Sequence, residues 1–284
     1  MSTFVEIIVQ GLGIAALYLL GALGLSIVYG VMGVVNLAHG EFMMLGAYGV
    51  VLLSGTLTYW GAAAAATLIL VLIGLILEGS VIRFVVGKPV ASMLATAGLA
   101  IALRQAVTIG FGPNLKYVGL PLEGSTSLPF GVQLAHWRAL LILAAAAVAL
   151  GVALLIARSN FGLKMRAVIA NPEIAQGLGL RSSRVNLITF AIGAGIAGLA
   201  GALISPLTTV SPNMGLSFLV GSFLVVILAG LGRIRPTVAW SVAVGVGTAA
   251  VAIPFNSIIA QIAVWSAALA IVAFRRDALV AARV

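Results

Sequence analysis

The chain has 284 residues, of which 62% are hydrophobic and 7% are charged, and its mean hydropathy is +1.25. Soluble domains carry about 25% charged residues, so this composition excludes a soluble protein and indicates a polytopic membrane protein. The net charge of +9 does not indicate nucleic-acid binding, because the bases cluster at the ends of apolar runs. The absence of cysteine excludes disulfides and thiolate chemistry.

Apolar runs long enough to cross a bilayer recur along the chain and predict an all-α bundle of about eight or nine transmembrane helices in one domain, 1–284. A transmembrane barrel would instead show short alternating segments. The second span is the weakest, because polar residues interrupt its start, and it could be a broken or re-entrant element. The candidate spans are 7–31, 37–57, 62–82, 90–111, 138–156, 185–205, 216–231, 237–253 and 258–274.

The positions of the 15 Lys and Arg residues predict the orientation. Alternating crossings place all of them except Arg104, Lys116 and Arg138 at one face, which the positive-inside rule makes cytoplasmic. The segment 157–184 is then a cytoplasmic loop, and the carboxyl terminus is also cytoplasmic. The segment 112–137 is an external loop, whose length fits either a simple connector or a further role.

A charge at the bilayer centre costs about 2.5–3.5 kcal/mol on insertion scales, so each one needs a partner, a route to the surface or a function. Glu78 lies about one turn from Arg83, which predicts a local ion pair or a reach toward the headgroups. Arg104 lies too far toward the outer face to meet Glu78, so it extends outward or faces the bundle interior. His39 and Glu41 could form a proton relay, but the intervening glycine favours a hydrogen-bonded break between helices.

The cytoplasmic loop contains the start and stop signals of a short helix. Asn171 can cap it, Pro172 fits its first position, and Glu173 suits the positive helix end. A helix of roughly two turns is not stable alone in water. It therefore packs under its own membrane domain or docks a separate cytoplasmic protein. Its end falls at Gly177 or Gly179, and its small apolar face would consist of Ile174, Ala175 and Leu178.

Small residues at every fourth position, Gly193, Ala197 and Gly201, predict a face on which helices pack closely. The sequence lacks a nucleophile elbow, clustered carboxylates and a Gly-rich loop ending in Lys-Ser or Lys-Thr. We therefore expect no catalytic residues, no metal site and no cofactor bound by this chain.

Three segments resemble the permease subunits of ABC importers for branched-chain amino acids. The first, GLSIVYGVMGVVNLAHGEFMMLGAY at 24–48, is similar to the amino-terminal signature of that family. The second, at 166–203, is similar to its cytoplasmic loop and following helix, and the third, at 211–232, begins SPNMG. Together they span most of the chain. The continuation AGLGRIRPTVAW at 229–240 is more basic than the Gly-rich continuation usual in the family, which weakens any statement about the neighbours of this turn.

The resemblance implies an assembly in a bacterial-type inner membrane, surrounded by lipid and without nucleic acid. Its partners would be a second permease subunit, like or unlike, two cytoplasmic ABC ATPases that bind ATP with magnesium, and an external solute-binding protein. It implies a substrate pathway or helix break at Asn36, His39, Gly40, Glu41 and Asn213. It implies an ATPase contact, the coupling helix, through Arg166, Asn171, Pro172, Glu173, Ile174, Leu178 and Gly179.

The expected function is therefore ATP-driven uptake of leucine, isoleucine or valine through a permease subunit that is not itself an enzyme. The nearest alternative is the same machine carrying urea or short amides. A stand-alone proton-coupled carrier that uses His39 and Glu41 is a further alternative, and a passive channel is another.

Overall fold

The computed structural model describes residues 2–127 and 129–274, in which helices and their connecting turns account for nearly all of the structure and one small hairpin is the only sheet. The antiparallel hairpin consists of β1 (Ser125–Ser127) and β2 (Gln133–Ala135), and single 3-10 turns lie at Ile82–Phe84 and Pro129–Gly131. The basic residues expected near the carboxyl terminus, Arg275, Arg276 and Arg283, lie outside the described residues. The helices are α1 (Ser2–Met32), α2 (His39–Leu53), α3 (Tyr59–Ser80), α4 (Pro89–Phe111), α5 (His136–Arg158), α6 (Asn160–Ala170), α7 (Pro172–Gly177), α8 (Ser182–Ile204), α9 (Met214–Ala229), α10 (Ile234–Ala252) and α11 (Ser257–Phe274).

The all-α polytopic fold predicted from the sequence is confirmed, but the helices at two of the nine predicted spans are too short to cross a bilayer. Seven helical segments of the described chain are long and apolar enough to cross a membrane. Helix α2 has 15 residues and α9 has 16, which is too short for a hydrocarbon core of about 30 Å at about 1.5 Å per residue. Both short helices therefore begin inside the bundle.

Helices α1 and α8 form the centre of the bundle. In the most apolar 18-residue stretch of each of these two helices, 78% is buried. The corresponding values are 22% in α4, 17% in α5 and 11% in α11. The central helices are also rich in small residues, so neighbouring backbones approach closely. The outer helices expose apolar side chains, which suits contact with lipid or with another subunit.

The predicted small-residue face of α8 lies at these close approaches. Gly193 packs against Gly24 and Val28 of α1, Ala197 is fully buried, and Gly201 lies on the backbone carbonyl of Met43 in α2. A Cβ atom at Gly193 or Gly201 would overlap these neighbours. The spacing therefore serves helix packing.

Replacing Gly201 with valine should lower the free energy of unfolding by about 2 kcal/mol, because the added atoms must displace the α2 backbone. The matched control is Gly151→Val in α5, where a new Cβ atom meets no atom within 4 Å. Thermal unfolding in detergent measures both variants. Equal melting temperatures for the two would contradict the packing role of Gly201.

The basic residues divide between the two ends of the bundle. At one end, the Gly87 N–H donates to the Met32 carbonyl at 3.1 Å, and Gly30 packs on Gly232. At the other end, Lys116 and Val210 exchange two backbone hydrogen bonds of 2.9 Å. We call these the α7 end and the hairpin end. Arg138 joins Lys116 at the hairpin end, whereas the α7 end has Arg83, Lys88, Arg158, Lys164, Arg166, Arg181, Arg184, Arg233 and Arg235.

The two long connections contain more structure than the sequence predicted. The segment 157–184 holds α6 as well as the expected α7, because the 11 residues of α6 are apolar enough to pack on the bundle and Ser159 caps their first turn. The segment 112–137 contains the hairpin, and α5 begins at His136 rather than Arg138. Glu78 is buried and no described ion pair joins it to Arg83, because the Arg83 guanidinium lies over the Phe84 ring at 4.6 Å.

Candidate functional site

The chain is not helical between α1 and α2, at residues 33–38. Gly33 ends α1 with a φ of +63°, a conformation that favours glycine. Hydroxyl groups of α4 then bind the exposed backbone: the Val35 N–H donates to Ser92 at 3.1 Å, and the Leu37 N–H donates to Thr96 at 3.0 Å. Irregular backbone at membrane depth needs such internal partners. The sequence predicted the interruption but not the role of α4.

Asn36 and His39 shape the turn into α2. The buried Asn36 side-chain oxygen accepts a hydrogen bond from the Ala38 N–H at 3.0 Å. His39 is fully buried, its ring lies against Gly24 of α1, and it meets Phe42 edge-on with centroids 6.5 Å apart. The only hydrogen-bond partner of the imidazole among the described residues is the backbone of Gly21 in α1. The histidine therefore fills the junction between α1 and α2 rather than joining an established relay.

Glu41 and Arg104 form a buried ion pair between α2 and α4. Glu41 is 2% exposed and Arg104 is 28% exposed. The Arg104 Nε donates to Glu41 Oε1 at 3.2 Å, and one terminal nitrogen of the same guanidinium also donates to this oxygen. Sequence reasoning missed the pair, because it tested Arg104 against Glu78 alone. The depth of Arg104 in its span could have indicated the pair. Arg104 and Glu41 lie at the same depth once α2 is known to be short and to begin inside the bundle.

The beginnings of α2 and α9 cross at two glycines. Gly40 and Gly215 lie so close that a Cβ atom on either would overlap the carbonyl of the other. The second carboxylate oxygen of Glu41 also lies beside Gly215. Asn213 precedes α9, is exposed and does not cap the helix with its side chain. Asn213 therefore lies two residues from the crossing glycine, and its side chain is not among the buried groups around Glu41 and His39.

Several buried polar atoms around this crossing lack a hydrogen-bond partner among the described residues. They are Oε2 of Glu41, Oγ of Ser222 and one ring nitrogen of His39, since the Gly21 backbone can pair with only one of the two. Ser222 lies against Gly21, three residues from the Gly24 that meets His39, so the two side chains contact one face of α1. Unpaired buried polar groups are costly unless water or a ligand reaches them. This crossing is therefore our candidate solute pathway, and its polar atoms can bind water or a polar solute when the bundle opens.

We predict that His39→Gln largely preserves transport by the assembled protein. Glutamine keeps hydrogen-bonding capacity and approximate size but does not titrate near neutral pH. Uptake should stay within about twofold of the unmodified protein, measured with expression and assembly matched. Abolished uptake in a normally assembled variant would instead favour a proton relay through His39.

Helix α7 begins as its sequence predicted. The Asn171 side-chain oxygen accepts hydrogen bonds from the Glu173 N–H at 2.9 Å and the Ile174 N–H at 3.0 Å. Pro172 occupies the first turn, and the helix ends at Gly177. Gly179 follows with a φ of +84°. These local interactions fix a helix of 6 residues that is too short to persist without its neighbours.

The apolar residues of α7 face two directions. Ala175 is 2% exposed and shares a buried cluster with Met165 of α6 and Val185 of α8. Ile174 is 62% exposed and Leu178 is 79% exposed. The three residues of the predicted apolar face therefore do not act together. Ala175 packs against the bundle, whereas the larger Ile174 and Leu178 are left exposed. An uncovered apolar pair on an anchored helix is typical of a surface that docks another protein.

Arg166 lies on α6, not on α7. One of its terminal nitrogens donates to the Ile156 carbonyl near the end of α5. It therefore ties α6 to α5. Within 2–127 and 129–274, no group of three or more His, Asp or Glu side chains could hold a metal ion.

Comparison with known proteins places this arrangement in a family. The family model described as "Branched-chain amino acid transport system / permease component" matches residues 7–274. The chain belongs to this family. The match covers the crossing of α2 and α9, the segment 157–184 and the central helices, so the permease resemblance seen in three segments extends over nearly the whole chain.

Curated relatives include bacterial and archaeal permeases. The high-affinity branched-chain amino acid transport system permease protein BraD of Pseudomonas aeruginosa is 29% identical over 263 residues, which cover 87% of this chain and 85% of BraD. The permease LivH of Salmonella typhimurium is 26% identical over 264 residues, with the same coverages. A probable LivH permease of Methanocaldococcus jannaschii is 28% identical over 233 residues, covering 77% of this chain and 71% of the relative. No solved structure matches the chain significantly.

Proposed function

We propose that this chain is the membrane-spanning subunit of an ATP-driven importer for branched-chain amino acids. Its partners in the proposal are a second permease subunit, two cytoplasmic ATPases that bind ATP and magnesium, and an external solute-binding protein. The chain itself supplies the solute pathway and no ATP site. The relatives named above are permease components of branched-chain amino acid transport systems, which supports the class of solute.

The observation that carries the proposal is the pair of exposed apolar side chains on α7. Ile174 and Leu178 have no covering element among the described residues, although α7 is anchored through Ala175. The α7 end also carries most of the basic residues, which favours the cytoplasmic side where ATP is available. An ATPase that binds Ile174 and Leu178 would therefore contact α7 from the cytoplasmic side.

A physical connection links α7 to the solute pathway. Ala175 shares a buried cluster with residues of α6 and α8, and that cluster includes Ile27 of α1. Helix α8 in turn carries Gly193 and Gly201, which touch α1 and α2 at the candidate pathway. A push on α7 would move α8 against the start of α2. Because Gly201 lies on the Met43 backbone carbonyl and Gly193 lies close to the Gly24 carbonyl, little flexible side chain intervenes at these two contacts to absorb a displacement.

The direct test of this assembly is co-purification. We expect a tagged full-length chain, isolated from its own host in mild detergent, to carry an ATP-hydrolysing polypeptide and a second permease polypeptide in defined proportions. Mass spectrometry identifies the bound polypeptides, and a tagged unrelated membrane protein is the control. A chain that is isolated alone, yet transports solute when reconstituted alone, would contradict the proposal.

We further predict that Lys116 is outside and Arg166 is inside. The sequence contains no cysteine, so single cysteines at these two positions can be labelled in intact cells with an impermeant maleimide. Lys116 is partly exposed and Arg166 is exposed, so a reagent on the correct side of the membrane can reach either position. Position 116 should react in intact cells and position 166 should react after permeabilisation. The reverse pattern would overturn the orientation.

A further inference from the structure

A basic pocket lies at the α7 end between α6, the turn after α7 and the start of α8. Its volume is about 500 Å³, and an opening connects it to the surface. Six of the residues that line it matter for its chemistry. They are Phe161, Lys164, Arg181, Arg184, Val185 and Ile188.

Three of these residues are cations without a partner. Lys164, Arg181 and Arg184 are exposed, and no ion pair joins any of them to an acidic residue of the described chain. No acidic side chain lines the pocket. Helix α8 begins here with Arg181 before its first residue and without a side-chain cap, so the positive end of its dipole adds to the three charges. Like charges that line one pocket repel one another, and an anion bound among them would relieve this repulsion.

The opposite wall of the pocket is apolar and continues toward the membrane. Val185 and Ile188 lie on one side of α8, and Phe161 of α6 completes this wall. Ile188 is 43% exposed although it lies six residues into a helix that crosses the membrane, about 9 Å from its start. An exposed isoleucine at that depth meets acyl chains. The pocket thus places positive charge at headgroup level directly beside an apolar surface.

We propose that this pocket binds the headgroup of an anionic phospholipid, such as phosphatidylglycerol. The phosphate would lie among Lys164, Arg181 and Arg184, and one acyl chain would run along Ile188. Bases near a membrane surface are attracted to anionic lipids, so the three together favour an anionic over a zwitterionic headgroup. An acidic segment of a soluble partner would match the charges but not the apolar wall.

The lipid site connects the bilayer to the segment that moves in transport. Arg181 and Arg184 lie at the start of α8, and Lys164 lies on α6, so one headgroup would tie these two helices together. The turn that contains Gly179 and Leu180, also at the pocket, leads directly from α7. Bound lipid would thus hold the base of α7 in a defined position, and this role does not depend on which solute is transported.

The test uses the full-length chain purified from micelles that contain equal amounts of phosphatidylglycerol and phosphatidylcholine. Native mass spectrometry reports the ratio of the two lipids that remain bound. We expect a preference for phosphatidylglycerol that falls about tenfold or more in the double variant Lys164→Gln/Arg184→Gln. The matched control is Lys88→Gln/Arg158→Gln, which removes two exposed bases from the same end outside the pocket and should keep the preference.

Melting temperatures of both double variants establish that each is folded. Millimolar inorganic phosphate should not displace the bound phosphatidylglycerol, because the acyl chain contributes to binding. Equal lipid ratios in the pocket variant and the control would overturn the proposal. Displacement by phosphate alone would also overturn it and would identify a site for free anions. Loss of a co-purifying ATPase from the pocket variant, with lipid binding unchanged, would assign the pocket to a protein contact instead.

Discussion

Replacing Arg104 with methionine is expected to lower the free energy of unfolding by about 3 kcal/mol, the largest stability effect that we predict for a single residue. Glu41 is 2% exposed, and its Oε1 accepts two hydrogen bonds from the Arg104 guanidinium. Without Arg104 this carboxylate stays buried between α2, α4 and Gly215 with no cation to balance it. Methionine keeps much of the length and apolar volume of the arginine stem, so the loss of charge dominates.

The control for this prediction removes both charges. The double variant Glu41→Gln/Arg104→Met leaves no buried charge at this position, so it should be more stable than Arg104→Met alone. Thermal unfolding of the purified chain in detergent compares Arg104→Met, the single variant Glu41→Gln and the double variant with the unmodified protein. If the effects of the single substitutions simply add, the two residues do not interact, and the ion pair does not join α2 to α4.

A negative charge on the exposed face of α7 is expected to uncouple ATP hydrolysis from uptake almost completely. Ile174→Asp places a carboxylate on the apolar pair that we assign to the ATPase, where burial against a partner would cost several kcal/mol. Glu173→Lys puts a positive charge at the positive end of the helix and reverses the charge that a partner meets. Both variants should lose the co-purifying ATPase or the stimulation of its activity by solute.

The matched control places the same charge elsewhere on α7. Gln176 lies two residues from Ile174, about 200° around the helix, and is exposed. Gln176→Asp should therefore retain the ATPase and wild-type uptake. If Ile174→Asp and Glu173→Lys also retain both, α7 is not the docking element and lies passively against its own bundle.

Local signals in the sequence were sufficient for much of this architecture. The apolar runs identified every membrane helix, because each run must satisfy its own backbone hydrogen bonds. The start of α7 followed from Asn171, Pro172 and Glu173, whose interactions involve neighbours in the chain. The interruption before α2 was also visible, since Asn36, His39 and Gly40 are unfavourable inside an apolar helix.

What the sequence did not predict depends on contacts between distant segments. The pairing of Glu41 with Arg104 joins residues 63 positions apart and requires α2 to start inside the bundle. The length of α2 was overestimated, because apolar residues continue into the turns that flank it, whereas the predicted span 216–231 has the length of α9 and is displaced by two residues. Nothing in the sequence indicates that the hydroxyl groups of Ser92 and Thr96 have partners outside α4. Only the fold brings them into contact with residues 33–38.

The central claim is that an ATPase drives solute through this chain, and uptake by proteoliposomes tests it most directly. Liposomes containing the chain with its co-purified partners, external binding protein and internal ATP should accumulate radiolabelled leucine. Accumulation should cease with a non-hydrolysable ATP analogue and should not occur with urea in place of leucine. Liposomes with the chain alone should show no uptake under a pH gradient. Leucine accumulation by the chain alone, driven by the pH gradient and independent of ATP, would contradict the account.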